Sequence, residues 1–255
     1  MKPGSFILNG VHSEDIRTVI QGRPTLATPR RRVTFKQGVE QDGALPFDEE
    51  SYDNTEIELS LFTQGDDASE NRERIYHLFN SGKYMDLILY SDPTKVYKVM
   101  TIEFPNFESR YFMGESISYQ VKLTALPYKH LVLSPLTTLA TPSTLVNPSL
   151  YPSEPRIAIV GSGNITLTIG GRDFIMKGVD GYIIVDSNLE IAYKDLALGV
   201  NYDLENNPSK PEDVINQNSK VFTRVYPTFS QGVNSVTWVG NVTRVDILPK
   251  WRTLA

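Results

Sequence analysis

The segment Ile117-Ser-Tyr-Gln-Val-Lys-Leu-Thr124 decides the fold class, because its apolar and polar residues alternate with period two. That alternation points successive side chains to opposite faces of a β-strand. Residues 56–61 alternate in the same way, with Ile57, Leu59 and Leu61 on the apolar face. Strands of this kind bury one face and expose the other, as in antiparallel sheets, so the chain is predicted to be mainly β.

Residues 96–104 form a third alternating segment. Val96, Met100, Ile102 and Phe104 share one face of it, and Lys98 is the exception on that face. We expect this apolar face to be the one that packs into a core.

One helix is predicted among these strands. Asp67-Ala-Ser-Glu70 has the pattern of a capping box, and Ile75, Leu78 and Phe79 then lie on one helical stripe. Gly82 supplies a left-handed residue after the last turn. A single helix of about three turns among many strands indicates a β-sandwich with a helix packed against it, rather than βαβ units.

Residues 131–153 differ from the segments on either side. They include no charged residue and four prolines, at positions 135, 142, 148 and 152. Proline removes the backbone donor that a β-ladder needs, so we predict a linker between two domains over residues 133–152.

After this segment, short strands separated by glycines are predicted. Gly170-Gly171 lies between two alternating runs, where a two-residue hairpin turn requires positive φ. Gly240-Asn241 lies in a similar position between residues 235–239 and 242–248, so a second tight hairpin is predicted there. Closely spaced strands of this kind predict a second, all-β sandwich or jelly roll.

The composition argues against several classes of protein. The chain has 255 residues, a net charge of −5 and no cysteine. An acidic protein lacks the basic face that supplies most nucleic-acid affinity, and without cysteine there is no disulfide, thiolate nucleophile or cysteine zinc site. The apolar run Phe6-Ile-Leu8 is too short for a secretory signal, so synthesis in a reducing cytoplasm is expected.

Residues that could support catalysis are few and scattered. His12, His77 and His130 are the three histidines, and no two of them have the spacing of metal ligands. Ser162 lies between two glycines, but a nucleophile elbow needs a different spacing and a following helix. A tight turn is the better interpretation of this serine.

The charged clusters are also better interpreted as structural features than as functional sites. The carboxylates form two groups, which are Asp48, Glu49, Glu50 and Asp53 in the first half and Asp180, Asp186 and Glu190 in the second. The first group does not match a calcium-binding loop, and the spacing of the second is no evidence for a glycosidase pair. The run Arg30-Arg31-Arg32 is expected at a surface strand edge, or at an interface with carboxylates of a neighbouring chain. No catalytic, metal or cofactor site is therefore assigned.

The order of several short motifs resembles that of the distal tail proteins of long-tailed bacteriophages. In the first half the similar motifs are Phe6-Ile-Leu-Asn-Gly10, Gln41-Asp-Gly43, Tyr52-Asp-Asn54, the helix from 69 to 79, Leu87-Ile-Leu-Tyr-Ser-Asp-Pro93 and Ala125-Leu-Pro-Tyr128. In the second half they are Asn147-Pro148, Glu154-Pro-Arg-Ile157, Gly161-Ser-Gly163, Val185-Asp-Ser187, Ala192-Tyr193, Tyr226-Pro-Thr-Phe229, Gln231-Gly-Val-Asn234 and Lys250-Trp-Arg252. Each motif is weak alone, whereas their order and spacing are fairly specific.

The resemblance implies a fold of two domains. Residues 1–132 would be a ring-forming N-terminal β-sandwich with one α-helix and a hairpin arm. Residues 153–255 would be a galectin-like β-sandwich of the jelly-roll type.

The resemblance also implies a role. Six copies, in single or stacked rings, would form a hub between the major tail tube protein and a tail-associated tip, lysin or fibre protein, with receptor-binding proteins as further partners. DNA would pass through the ring without specific binding, and the subunit would insert in no membrane. The protein would be assembled in the host bacterial cytoplasm, belong to the virion tail tip, and have neither enzymatic activity nor a cofactor.

Residues 36–48 predict the arm, a hairpin between a strand over 30–35 and a strand over 52–61. In a closed ring, one patch of each subunit must meet a different patch on the next copy. We expect Gln37, Val39, Gly43, Leu45 and Pro46 to make that contact.

Two other functions remain open for the second domain. A carbohydrate-binding module for cell-wall polysaccharide would use an exposed tryptophan with polar neighbours; Trp238 and Trp251 are present, but no histidine accompanies them. A polysaccharide hydrolase would need converging carboxylates, which the spacing does not reveal.

Overall fold

The structure is a computed structural model that describes residues 1–39, 42–64, 68–104, 116–195, 204 and 214–255. For residues 68–71 it describes the backbone alone. The chain divides into two compact units, Met1–Val132 with Leu254–Ala255, and Leu133–Thr253. Among the described residues, no helix is long and apolar enough to cross a membrane.

The first unit is built mainly of β-strands. In chain order its elements are β1 (Phe6–Leu8), β2 (Val11–His12), β3 (Thr18–Ile20), β4 (Thr25–Leu26), β5 (Arg31–Lys36), β6 (Leu45–Tyr52), β7 (Thr55–Gln64), α1 (Ala68–Phe79), β8 (Met85–Leu89), β9 (Lys95–Glu103), β10 (Ser116–Ala125) and β11 (Tyr128–Leu131). The main sheet has the order β2-β1-β8-β9-β10-β7-β3, with antiparallel pairing throughout.

Strands β7 and β10 form the centre of this sheet and confirm the alternation read from the sequence. They pair without interruption from Ser116 opposite Gln64 to Ala125 opposite Thr55. Their inward side chains are buried in one core with side chains of β1, β8 and α1. Uniform register keeps every second residue on the core side, because a slip of one residue would turn the whole apolar set to solvent.

Helix α1 confirms the predicted helical stripe. Ile75 and Phe79 are buried in the core and Leu78 packs against it. The Thr101 hydroxyl donates a hydrogen bond of 2.8 Å to the carbonyl of Phe79, which satisfies one of the free acceptors at the end of the helix. Gly82 has φ of +61° after the helix ends, while the proposed cap at Asp67 lies outside the described residues.

The predicted inward face of β9 is wrong. Tyr97 and Val99 are the buried residues of this strand, and Ile102 and Phe104 are about half exposed. Both faces of β9 have apolar residues, so alternation alone could not decide between them. The face that includes Lys98 is the outer one, where Lys98 forms an ion pair with Asp86 on β8.

The second unit is all-β apart from one short 3-10 turn, Asn218–Lys220, among the residues described for it. Its strands are β12 (Thr137–Leu139), β13 (Ser143–Asn147), β14 (Arg156–Ile169), β15 (Arg172–Val179), β16 (Tyr182–Asp186), β17 (Ile191–Asp195), β18 (Val214–Asn216), β19 (Gly232–Leu248) and β20 (Arg252–Leu254), the last of which ends in the first unit. The order β12-β19-β14-β16-β17-β18 describes most of the sheet, with β13 paired to β19 and β15 to β14.

Two long strands, β14 and β19, build both layers of this unit. The first half of β14 pairs with β16 and with the end of β19, whereas its second half pairs with β15 and with the beginning of β19. Register shifts separate the two halves. Strands that pass from one sheet to another through such bulges form the corners of a β-sandwich.

The tight hairpin predicted at Gly240-Asn241 is wrong, because β19 runs through this point without turning back. Gly240 instead permits a close crossing of β14 and β19. A Cβ added to Gly240 would lie 2.4 Å from the carbonyl oxygen of Asn164, and one added to Gly161 would lie 2.3 Å from that of Asn241. Glycine is required at both positions by the approach of the two backbones.

The hairpin predicted at Gly170-Gly171 is confirmed. Ile169 pairs with Arg172 across it, and the two glycines have φ of +56° and +79°. Positive φ at both central residues is the geometry of a two-residue turn between twisted strands. The mainly β fold class, with one helix, an arm and a second sandwich, is likewise confirmed.

Residues 133–152 differ from the predicted linker. They contain β12 and β13, and both strands pair with β19 in the second unit. Pro135, Pro142 and Pro148 lie outside these two strands. The prolines therefore separate short strands without removing a donor from either ladder.

Candidate assembly interface

The hairpin arm consists of β5 and β6, which pair only with each other among the described strands. Phe35 lies opposite Pro46, and Lys36 lies opposite Leu45. A register shift near the base leaves two extra residues in β6, where Glu50 has φ of +53°. The arm is therefore longer than predicted, because β6 extends to Tyr52.

Ion pairs hold the base of the arm together. Arg31 forms an ion pair with Asp48, and Arg32 Nε lies 2.5 Å from Asp53 Oδ1. The hydrogen bond from Arg31 lowers the pKa of the Asp48 carboxyl, and the hydrogen bond from a backbone N–H lowers it further. Two of the three arginines of the basic run thus meet carboxylates within their own hairpin, which fits a surface strand.

The tip of the arm exposes apolar side chains. Phe35 is 66% exposed, Val39 94%, Leu45 57% and Phe47 49%. Opposite residues of an antiparallel pair share a face, so Phe35 and Pro46 lie on one face while Leu45 and Phe47 lie on the other. Both faces of the tip are therefore apolar. Exposed apolar surface on a slender two-stranded hairpin is typical of a contact region for another chain.

The predicted contact residues all fall in this exposed region. Gln37 and Val39 follow β5, and Leu45 and Pro46 begin β6. Gly43 has φ of +87° just before β6. All five positions are exposed, and residues 40 and 41 of the same turn lie outside the described part of the chain.

Sequence reasoning missed Phe35 and Phe47 as contact residues. Apolar residues in a strand are as typical of a buried face as of a contact face, so the pattern alone does not mark either position as a contact residue. What distinguishes these two residues from core residues is that their hairpin pairs with no other described strand. No layer of described residues buries either ring, although Lys36 Nζ lies 5.0 Å from the centre of the Phe47 ring.

A second exposed apolar surface of the first unit lies at the end of β9. Ile102 and Phe104 are exposed there, and the Phe104 ring centre lies 6.4 Å from that of Tyr76 on α1. A cavity of about 460 Å³ adjoins Phe104. Polar side chains make up much of its lining, namely Gln21, Ser60, Glu103, Ser118, Gln120 and Lys122.

No group of three metal-ligating side chains occurs within the described residues. His12 and His77 are exposed, and His130 is partly buried. Ser162 accepts a hydrogen bond of 2.8 Å from the side-chain amide of Asn241, as suits a residue at the strand crossing.

Asp186 in the second unit is buried and takes part in a structural charge cluster. Its carboxylate lies 2.7 Å from Arg156 Nε and 3.3 Å from Lys250 Nζ, and it accepts hydrogen bonds from two backbone N–H groups. Burial alone would raise its pKa, but Lys250, Arg156 and these hydrogen bonds outweigh that cost, so the pKa is lowered. Asp180 and Glu190 are exposed by comparison.

The two tryptophans of the second unit do not form an exposed sugar platform. Trp251 is buried, and its ring contacts Phe229 edge-on with centres 5.6 Å apart. Trp238 is partly buried opposite Leu167 in the β14–β19 ladder.

Comparison with known proteins identifies a fold. No protein-family model matches the chain, and no curated protein matches it. Among solved structures, the crystal structure of the SPP1 Dit protein matches over 98% of this chain and 99% of its own, with a TM-score of 0.64 and 14% sequence identity. That protein is described as a paradigm of the hub adsorption apparatus in phages that infect Gram-positive bacteria. The chain therefore has the fold of a Dit protein over its full length.

Proposed function

We propose that this chain is a structural subunit of a phage tail, and that six copies form a ring-shaped hub at the distal end of the tail tube. The observation that carries the proposal is the end-to-end fold match with a phage hub protein. A match to one domain would be weak evidence, since single β-sandwiches serve many functions. A match that covers both units in one chain narrows the range of possible functions much further.

The hairpin arm is the proposed ring contact. Its apolar tip extends from a base held by two ion pairs, so the hairpin keeps its shape while both faces of the tip remain open. Burial of apolar surface is the main driving force of protein association. A neighbouring subunit that covers Phe35, Val39, Leu45 and Phe47 would remove this surface from water.

A closed ring also requires a second, different patch on each subunit. We assign that role to the surface at Tyr76, Ile102 and Phe104, which belongs to other elements of the same unit. Its aromatic character matches the composition of interface centres, where Phe and Tyr are enriched.

The remaining partners follow from the proposed hub. One side of the ring would meet the major tail tube protein, and the other would meet a tip, lysin or fibre protein. The second unit would present a surface for receptor-binding proteins. The subunit would act through these contacts without catalysis, and its place would be the virion tail tip, with DNA passing through the channel.

The proposal is tested by the mass of the purified protein in solution, measured by light scattering over a wide range of concentration. Six copies of the 28.7-kDa chain give about 172 kDa, and two stacked rings give twice that mass. A ring with six-fold symmetry in negative-stain images is the expected companion result. A monomer at every concentration, also in the presence of the tail tube protein, would overturn the proposal.

A further inference from the structure

A cleft of about 340 Å³ lies in the second unit beside the hairpin that joins β14 and β15. Residues of that hairpin and of the segment 225–228 surround it, among them Ile169, Arg172, Phe174, Val225, Tyr226 and Pro227. The proposed ring leaves this cleft without a function. Its volume is at the lower end of small-molecule sites, which span about 300–1,000 Å³, so the cleft suits a ligand of one ring.

The walls of the cleft are mainly apolar. Phe174 is buried, and its ring centre lies 5.3 Å from that of the partly buried Tyr226. Ile169 and Pro227 are buried as well, and Val225 is 63% exposed. An apolar body that enters the cleft leaves water, and burial of apolar surface is the main driving force of such binding.

Arg172 is the only charged residue of β15 whose side chain projects toward the cleft walls. Successive side chains of a strand point to opposite faces, so Arg172 shares a face with the buried Phe174. Asp173 adjoins the cleft, but its side chain projects from the other face, where its carboxylate accepts a hydrogen bond of 2.7 Å from the Thr168 hydroxyl. Lys177 also lies on that outer face. The charge that this strand presents to the cleft is therefore positive.

The Arg172 guanidinium is free to bind a ligand. Arg172 is exposed and forms no hydrogen bond or ion pair with any described residue. Its planar fork of N–H donors matches the geometry of a carboxylate, which it can hold through two parallel hydrogen bonds.

A negative charge near Tyr226 sets the direction of an anionic ligand. Burial raises the pKa of Tyr226, and the charge of Glu190 raises it further, although Glu190 is not one of the residues that line the cleft. An anionic group is repelled by Glu190 at the Tyr226 hydroxyl and attracted by Arg172. A ligand with one anionic end is therefore expected to place that end on Arg172 and its apolar body against the Tyr226 ring.

The walls of the cleft are held in place before any ligand binds. The Gly170 N–H donates to the carbonyl of Ser235 at 2.9 Å and ties the hairpin to β19. The 226–229 segment is tied by reciprocal hydrogen bonds between Ser153 and Phe229, of 3.0 and 3.1 Å. A preformed site loses little entropy on binding, which favours weak ligands that a flexible site would not retain.

These features argue against several classes of ligand. A cation is repelled by Arg172, and a small inorganic anion leaves the apolar walls in contact with water. A neutral apolar molecule makes no use of the guanidinium. An acid with one carboxylate on an apolar body of about one ring uses both parts of the cleft.

We propose that this cleft binds a monocarboxylate with an apolar body of about one ring, whose carboxylate pairs with Arg172 and whose body packs against Tyr226. Free aromatic acids share this chemistry with the C-terminal apolar residue of a protein chain. The cleft belongs to the second unit, whereas both proposed ring contacts belong to the first, so the two proposals can succeed or fail independently.

The test is saturation-transfer NMR on the full-length protein. The probes are phenylacetate as a free acid, N-acetyl-phenylalanine as a mimic of a chain end, N-acetyl-phenylalaninamide, which lacks the charge, and acetate, which lacks the ring. We expect phenylacetate or N-acetyl-phenylalanine to bind saturably with roughly millimolar affinity, as suits a single ring. The amide and acetate should each bind about tenfold more weakly, because each lacks one of the two groups that the cleft recognises. Tighter binding of N-acetyl-phenylalanine than of phenylacetate would identify a chain end as the ligand, and the reverse order would identify a free acid.

Substitutions show whether the binding takes place in the cleft. Arg172→Ala and Tyr226→Ala should each weaken the binding of the tighter acid about tenfold, and Tyr226→Phe should retain it. Lys177→Ala and Asp173→Asn are matched controls on the other face of β15, and each should leave the affinity within about twofold. Arg172 is exposed, so Arg172→Ala tests the site without risk to the fold.

Three results would overturn the proposal. One is the absence of saturable binding by both acids up to tens of millimolar. Another is binding of the amide or of acetate that is as tight as that of the acids, which would show that the charge or the apolar body is not recognised. The third is binding that Arg172→Ala and Tyr226→Ala leave unchanged. The mass of each variant shows whether the ring is affected.

Discussion

Replacing Phe35 and Phe47 together by serine removes the aromatic part of the arm tip. Fully burying one such side chain contributes about 1.5–3 kcal/mol. With Phe35 66% and Phe47 49% exposed, their remaining burial in an interface would contribute about 2–3.5 kcal/mol per arm. At about 1.4 kcal/mol per tenfold change, each contact should weaken by roughly 30- to 300-fold. Closing a ring multiplies the effect, because every contact in it is affected.

Light scattering should then show a shift of the Phe35→Ser/Phe47→Ser protein from ring to monomer at concentrations where the native protein is hexameric. The melting temperature of the monomer should change little, since neither ring belongs to a core. Phe222→Ser is the control, because it removes a ring that is 57% exposed in the second unit and should leave the mass unchanged. A double variant that still forms a complete ring would refute the assignment of the arm as the ring contact.

Two predictions concern the stability of the second unit. Asp186→Asn should lower its free energy of unfolding by roughly 3–5 kcal/mol in chemical denaturation, because two cations lose their buried counter-charge. Because the folded-state pKa of Asp186 is lowered, the carboxylate stabilises the folded protein above the unfolded pKa of about 4, and this stabilisation is lost as the pH falls through the lower folded value. A native protein that unfolds in acid at the same pH as Asp186→Asn would contradict this. Gly161→Ala should cost about 3 kcal/mol by overpacking, since its Cβ would lie 2.3 Å from a carbonyl oxygen. Gly163→Ala is the control, with φ of +81° and no atom within 4 Å, and should cost about 1–2 kcal/mol; equal losses for the two glycines would refute the crowding at the strand crossing.

The two glycine-containing turns predicted in the second domain show where sequence reasoning succeeds and where it stops. Gly170-Gly171 and Gly240-Asn241 have the same local pattern, yet only the first is a hairpin. The conformation at Gly240 is decided by a distant partner, because β14 crosses β19 there. Local patterns reveal that a residue needs unusual backbone freedom, but they do not show which other segment imposes that need.

Alternation has a similar limit in the first unit. It predicted β7 and β10 correctly because polar residues occupy their outer faces. It failed for β9, whose two faces are both apolar, and it could not distinguish Phe35 from a core residue. Apolar residues that face a partner chain and those that face the core have the same pattern in one sequence.

The passage of β14 and β19 through both layers of the second unit has a mechanical consequence. In a sandwich whose sheets share no strand, the layers are joined by loops and by packing, so a load can slide one layer over the other. Here 14 and 17 residues of continuous backbone cross from one layer to the other. Tension applied to either layer therefore passes along covalent bonds into the other. We expect such a unit to resist a load that would slide one layer over the other.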